Sequence, residues 1–448
     1  MKPVTAKQIA DSVGGALHGE GRITAVSTDS RSIPPESLFV PLRGERFDGH
    51  AYLSQALAAG AAGCLCEKLP EELEPGKFYI QVPDTRLALK ALAAWYRNQF
   101  AIPFVQITGS VGKTTTKEMV AAVLSQHYEV LATRGNFNND IGVPLTLFGL
   151  EERHQAAVIE SGMNHFGEIR YLGEMIRPDI AVITNIGDAH IEHLGSREGI
   201  LKAKCEIFEN LRPETGLAVL SGDDELLRGL HLPFDTVWCG QGENCGVRVR
   251  DVADHGVQGV ACTVVTGKGT YPLEIPALGT HMVYPAAMAV AIGEKLGLTA
   301  EEICRGVAAY QPTGSRMRIL HCTQGRILLD DCYNANPQSV EAALRVLAKE
   351  NRTVAVLGDM NELGDLSQQA HREIGGLAKT LGVGALVTIG EKARAMADGA
   401  AGMETHWFPT AAQAMDTIRG LFQPDTVLLV KASHAMHFEE IVEQLRHL

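Results

Sequence analysis

The stretch Phe104-Val105-Gln106-Ile107-Thr108-Gly109-Ser110-Val111-Gly112-Lys113-Thr114-Thr115 decides how this chain is read. Its first five residues predict a buried strand, and the apolar periodicity of 114–127 predicts a helix. Between strand and helix lies a glycine-rich turn. Glycines let backbone N–H groups turn toward a polyphosphate, the helix N-terminus adds partial positive charge, and Lys113 adds a full one. A hydroxyl from Thr114 or Thr115 can ligate magnesium. The spacing is a shortened phosphate loop: the first glycine of the full eight-residue pattern would fall at Ile107. Gly109, Ser110, Val111, Gly112, Lys113, Thr114 and Thr115 are therefore the expected phosphate-binding set.

Working outward, strands are predicted at 156–160 and 180–185. In open α/β sheets, ligands sit off the carboxyl ends of the strands. Glu160 ends the first strand, where a carboxylate can hold magnesium opposite the phosphates; by itself it is equally a solvated strand end. His190 follows the second strand and would lie at the same edge, as a metal or phosphate ligand. Lys204 falls in a helical pattern, 197–211, and its own surroundings predict no more than an exposed lysine.

The chain of 448 residues has room for two to four domains at roughly 100–200 residues each. Three segments emerge. Residues 1–100 hold short strands (23–27, 37–41, 78–82) and helices at 52–62 and 85–99. Residues 101–312 carry the phosphate loop, a mainly parallel sheet and a further helix at 285–296. A Pro/Gly hinge at 311–314 leads to residues 313–448, where strands (326–331, 353–357, 385–389, 426–430) alternate with helices (339–349, 367–380, 411–421, 438–448). The predicted class is α/β in three domains: a small N-terminal α/β domain, a central phosphate-loop ATPase-like domain, and a C-terminal Rossmann-like doubly wound domain.

Net charge is −13 and no basic run occurs. A sequence-independent nucleic-acid binder needs clustered cations, so nucleic acid is not an expected partner. No stretch approaches the ~20 apolar residues of a membrane span, and the N-terminus lacks the apolar core of a signal peptide. The nine cysteines are scattered, with no CxxC pair, which fits reduced thiols in a cytoplasm.

These residues resemble the Mur ligase family, across all three segments. Thr28-Asp29-Ser30-Arg31, then 39–44, then Asp48-Gly49-His50, look like its uridine-nucleotide-binding domain. Gly135-Asn136-Phe137-Asn138-Asn139 and Met163-Asn164-His165-Phe166-Gly167-Glu168 resemble the branch that adds a D-alanyl dipeptide. So do Asp330-Asp331-Cys332-Tyr333-Asn334-Ala335-Asn336-Pro337, then Leu357-Gly358-Asp359-Met360 with Glu362-Leu363-Gly364 and His371.

The resemblance implies an ATP-dependent ligase acting through an acyl phosphate, with UDP-MurNAc-tripeptide as acceptor and D-alanyl-D-alanine as amine, working as a monomer. Glu160 and His190 would bind magnesium, and two ions are implied. Lys204 would carry a carbamate that helps hold the second. Arg316 and Asp331 would reach ATP from the third domain, and His281 would contact adenine. Ser30, Arg31, Asp48, Gly49, His50, Asn136, Asn138, Asn139, Asn334 and Asn336 would bind the substrates. The chain departs from the family at Met282 and Pro285, where asparagine is usual. It also departs at Lys431-Ala432-Ser433-His434, where Lys-Gly-Ser-Arg is common. The competing readings are a sister ligase adding the third amino acid, a folylpolyglutamate synthase-like ligase, and a nucleotide switch that performs no ligation.

Overall fold

The computed structural model describes residues 1–44 and 47–448. Three main sheets organise it. The first orders its strands Ala16–His18, Phe78–Gln81, Gly63–Cys66, Ser37–Phe39, Ala25–Ser27, parallel except at its first pair. The expected helix at 52–62 is shorter, with its α-helical part at Leu53–Ala58. The chain then turns at Gly60 and enters the buried strand Gly63–Cys66. The alanine-rich run before that strand hid it: four residues are too few to show a period of their own.

The central sheet has nine strands. Seven are parallel, from Val130–Ala132 at one edge through Ala156–Glu160, Phe104–Thr108, Ile180–Ile183, Leu217–Ser221 and Asp235–Gly240 to Val247–Asp254. Phe104–Thr108 is buried throughout, because helices cover both faces of a parallel sheet. It lies between Ala156–Glu160 and Ile180–Ile183, where the strand order reverses, so the phosphate loop opens at the switch point. The sheet departs from the parallel expectation at Val260–Val265 and Thr270–Ile275, which add an antiparallel ribbon. Each alternates buried and open residues, the signature of a half-covered strand. The helix expected at 197–211 is α-helical only over Arg197–Cys205 and tightens to 3-10 at Glu206–Asn210.

The third sheet orders its strands Arg318–His321, Ile327–Asp330, Val427–Lys431, Thr353–Gly358, Ala385–Ile389, Glu404–Phe408, all parallel after the first pair. Among the described residues, no helix is long and apolar enough to cross a membrane.

The two outer sheet systems join the central one differently. Helix Thr85–Arg97 packs against Glu168–Ile176 and Gly142–Leu147. One continuous apolar core runs from Ile9, Leu38 and Ile80 to Phe104, Val143 and Ile159. Tyr96 is 1% exposed, and its hydroxyl donates to Leu150 O at 2.7 Å. Buried Arg97 donates to Ile176 O at 2.6 Å and Arg177 O at 3.0 Å. The third sheet has its own cores, which draw only Leu278 from the central region. Polar links join it as well: Lys349 pairs with Asp254, and Thr313 Oγ1 donates to Glu118 Oε1 at 3.1 Å.

Candidate active site

The phosphate loop is wired to the neighbouring strand. Val111 N–H donates to Asn185 Oδ1 at 3.0 Å, and Val111 O accepts from Thr184 Oγ1 and Asn185 Nδ2 at 2.6 and 2.9 Å. Ser110 Oγ accepts from Gly187 N–H at 2.8 Å. This packing leaves no room for a side chain at position 109: an added Cβ would lie 1.8 Å from Thr184 Oγ1. Gly112 has φ 81°, where glycine carries no steric penalty, and helix Lys113–Leu124 starts directly after it. Lys113 Nζ donates to Gly109 O at 2.8 Å. Burial holds its amine below the ordinary lysine value, with Glu160 opposing.

Glu160, 1% exposed, accepts from Thr114 Oγ1 at 2.7 Å and Asn138 Nδ2 at 2.8 Å. Among the described residues, no three His, Cys, Asp or Glu side chains form a ready metal cage. Magnesium does not require one. It retains waters and takes one or two carboxylate or hydroxyl ligands plus substrate phosphates. The hard oxygens of Thr114 and Glu160, side by side at the foot of the loop, fit that demand.

Lys204 is 1% exposed, which overturns the exposed lysine that its own surroundings predicted. The helix turns it inward while Lys202, two residues before, stays exposed. Burial pulls its amine well below the ordinary value, and Lys113 adds to this. Among the described residues, no carboxylate offsets this shift.

A cavity of about 1070 Å³ opens over the loop. Ser110 through Thr115, Asn136, Asn138, Asn139, Glu160, His190 and His281 line it from the central region. Arg316, Asp331, Asn334 and Asn336 line it from the third. Gly109 and Lys204 lie behind this lining. Arg316 stacks 3.7 Å from the centroid of the Tyr333 ring. Asp331 accepts from Lys431 Nζ at 2.7 Å and Met317 N–H at 3.0 Å. Burial pushes its carboxyl up while Lys431 opposes the rise. Two of the expected asparagines bind backbone at helix starts: Asn139 Oδ1 accepts from Gly142 N–H, and Asn336, the N-cap of its helix, accepts from Ser339 N–H. His281 stands exposed on the cavity wall, where desolvation by the surrounding cleft, with Lys431 nearby, pushes it down to about 4.

Ser30, Arg31, Asp48, Gly49 and His50 stand apart from this cavity lining. Arg31 pairs with Asp29 at 2.8 Å, and Asp48 accepts from His50 Nδ1 at 2.7 Å. Arg43 pairs with Asp48, and Arg86, which pairs with Asp140, approaches Arg43 O at 3.5 Å.

Sequence reasoning gave no site role to Asn185, which holds the loop, or to Lys431 and Glu362, which stand in the quoted stretches and reach the site from the third region. Lys431 ends a strand of an open sheet, the same signal that identified Glu160. Glu362 Oε2 lies 2.6 Å from His190 Nδ1, and the imidazole holds this carboxyl below its ordinary value.

Comparison with known proteins agrees with this arrangement. Residues 22–97 match the model described as "Mur ligase family, catalytic domain". Residues 107–293 match the Mur ligase middle domain, and 315–434 the Mur ligase glutamate ligase domain. The UDP-N-acetylmuramoyl-tripeptide–D-alanyl-D-alanine ligase of Bacillus subtilis is 36% identical, over 98% of each chain. That of Escherichia coli is 37% identical, over 100% of this chain and 99% of its own. A crystal structure of MurF from Acinetobacter baumannii superposes with a TM-score of 0.92 at 34% identity, over 100% of this chain and 99% of the other. With the phosphate loop at the switch point and full-length relatives on either measure, this chain belongs to the Mur ligase family.

Proposed function

We propose that this protein is an ATP-dependent ligase that joins D-alanyl-D-alanine to UDP-N-acetylmuramoyl-tripeptide. One observation carries the reading: a single cavity brings the phosphate loop and Glu160 of the central domain to face Arg316 and Asp331 of the third. The full-length relatives that bear this activity's name favour it over a sister ligase or a folate-type ligase. We take the domains as 1–100, 101–312 and 313–448, the working unit as one chain, and its place as the cytoplasm, where both substrates would be met.

A carboxylate does not form an amide directly, because oxide is too poor a leaving group. In the proposed reaction a carboxylate oxygen of the acceptor attacks the γ-phosphorus. A new P–O bond forms, the bond to the bridging oxygen breaks, and ADP departs. The dipeptide's amine then attacks the acyl carbon. The tetrahedral intermediate expels phosphate and the nitrogen loses its proton. The protein's contribution is placement and charge. Loop N–H groups and Lys113 hold the phosphates, Arg316 approaches from the third domain, and Asn138 fixes the carboxylate of Glu160. Thr114, Glu160 and His190 would hold magnesium, two ions in all, and magnesium supplies charge neutralisation at the transferring phosphoryl. His281 faces the base, Asp331 the nucleotide. Asn136, Asn139, Asn334 and Asn336, with Ser30, Arg31, Asp48, Gly49 and His50, serve the substrates.

Lys204 is the further member of this set. Burial disfavours its charged ammonium, and an amine in the neutral form can take up carbon dioxide, forming an N–C bond and releasing a proton. The resulting carbamate is anionic and offers the oxygen ligands magnesium prefers. We expect Lys204→Ala to be nearly inactive and partly rescued by a short-chain carboxylic acid, with Lys202→Ala remaining active. Full activity of Lys204→Ala would remove the assignment.

The deciding experiment is phosphate release with ATP, D-alanyl-D-alanine and the lysine or diaminopimelate form of UDP-MurNAc-tripeptide. Release only when acceptor and amine are both present is the expected result. Steady nucleotide hydrolysis without them marks a switch protein.

A further inference from the structure

We propose that Glu362 is a positioning residue that spans the seam between the central and third domains and fixes the imidazole of His190, so that cation binding and domain closure are coupled. The proposal deepens the magnesium-dependent reading above and rests on it.

The contact is 2.6 Å from Glu362 Oε2 to His190 Nδ1, within reach of the ring though angled off a good hydrogen bond. His190 Nδ1 is buried and has no hydrogen-bond partner among the described residues. A buried ring nitrogen in that condition calls for an acceptor, and this carboxylate is the group beside it. A carboxylate on one ring nitrogen sets the tautomer and orientation of a ligating histidine, leaving Nε2 as the nitrogen available to a cation.

Both partners are held in the left-handed region, His190 at φ 66° and Glu362 at φ 62°. A non-glycine residue there is strained and persists only where its surroundings over-determine it. The surroundings of Glu362 do so. Met360 N–H donates to buried His371 Nε2 at 2.9 Å, and Asn361 N–H donates to Ser433 Oγ at 2.9 Å. Asn361 Oδ1 accepts from Lys392 Nζ at 2.8 Å, and Asp359 Oδ1 accepts from Ala393 N–H at 2.7 Å. All these anchors belong to the third domain. Glu362 alone among these residues reaches across, and Gly364 packs beside it against Glu192. The Leu357–Gly364 segment and His371 thus act together: they present one carboxylate rigidly to the other domain.

The test is Mn²⁺ binding in the presence of a non-hydrolysable ATP analogue, read by electron paramagnetic resonance, with X-ray scattering of the same samples. Glu362→Ala should weaken Mn²⁺ binding about 10- to 100-fold, the usual cost of losing an outer-sphere partner. It should also diminish the contraction on analogue binding and leave KM for D-alanyl-D-alanine unchanged. Glu362→Gln, which keeps the shape, should fall between. Wild-type Mn²⁺ affinity in Glu362→Ala, while Glu160→Ala and His190→Ala lose it, overturns the bridge and leaves the metal site standing. A raised dipeptide KM with unchanged Mn²⁺ affinity overturns it too, and assigns Glu362 to the amine. Unchanged affinity in all three variants removes the metal reading itself, and the bridge with it.

Discussion

The central domain meets its two neighbours in opposite ways. Toward the N-terminal domain it shares a core: Tyr96, Leu92 and Phe104 belong to one apolar cluster with Ile80 and Ile159, and Arg97 threads its guanidinium into carbonyls of the far side. Toward the third domain it offers Leu278, a few polar contacts and a cavity between. A shared core costs several kcal/mol to open, whereas a wet polar seam opens within thermal reach. On the proposed reading the molecule would divide mechanically into residues 1–312, moving together, and the third domain, closing over the nucleotide.

The strongest way to break this contrast is Tyr96→Ala. Losing a fully buried aromatic should cost about 3–5 kcal/mol, read as a lower denaturation midpoint in one transition shared by both domains. Separate melting of the N-terminal domain in the wild-type protein would refute the shared core. Leu278→Ala should cost less, about 2 kcal/mol, at the low end for a buried leucine because its seam opens in the working cycle. Here the larger readout is functional: a raised KM for ATP and a looser scattering profile. Wild-type scattering should contract with ATP analogue plus acceptor, and identical profiles would count against closure. Lys349→Ala removes a half-exposed partner of Asp254 and should cost under about 1 kcal/mol.

The smallest expected effect concerns pH. The folded value of His281 lies below its ordinary 6.5, at about 4. The folded state therefore resists a proton that the unfolded chain accepts. This contribution is fully present above pH 6.5 and is lost as pH falls from 6.5 toward 4. His281→Gln should flatten that part of the stability–pH curve, and an unaltered curve would show that cavity solvent screens the site.

The two seams also differ in how far the sequence discloses them. Phe104–Thr108, Ala156–Glu160 and Ser367–Thr380 follow the predicted bounds, because a continuous apolar run or a helical period marks each one. The antiparallel ribbon of Val260–Val265 and Thr270–Ile275 has a period-two alternation, unlike the continuous apolar runs of the parallel strands. The burial of Lys204 was invisible to local periodicity, since it depends on which helix face meets the sheet; only the family resemblance pointed to it. The Glu362–His190 contact joins residues far apart in sequence through a loop, and no period or spacing encodes such a meeting. Asn185 was hidden for the opposite reason: it acts on the loop's backbone, where a motif search sees only the loop.

The shared core at Tyr96 has a last consequence, in terms of measurement. If the shared core makes residues 1–312 move as one body, the distance from Ser30 and Arg31 to Lys113 becomes a constant of the scaffold. On the proposed reading, an acceptor gripped by its nucleotide at one end is held against a fixed gauge. A peptide stem one residue too short or too long delivers its carboxylate away from the phosphoryl group, so substrate length is judged by the architecture before any side chain inspects the terminal residue.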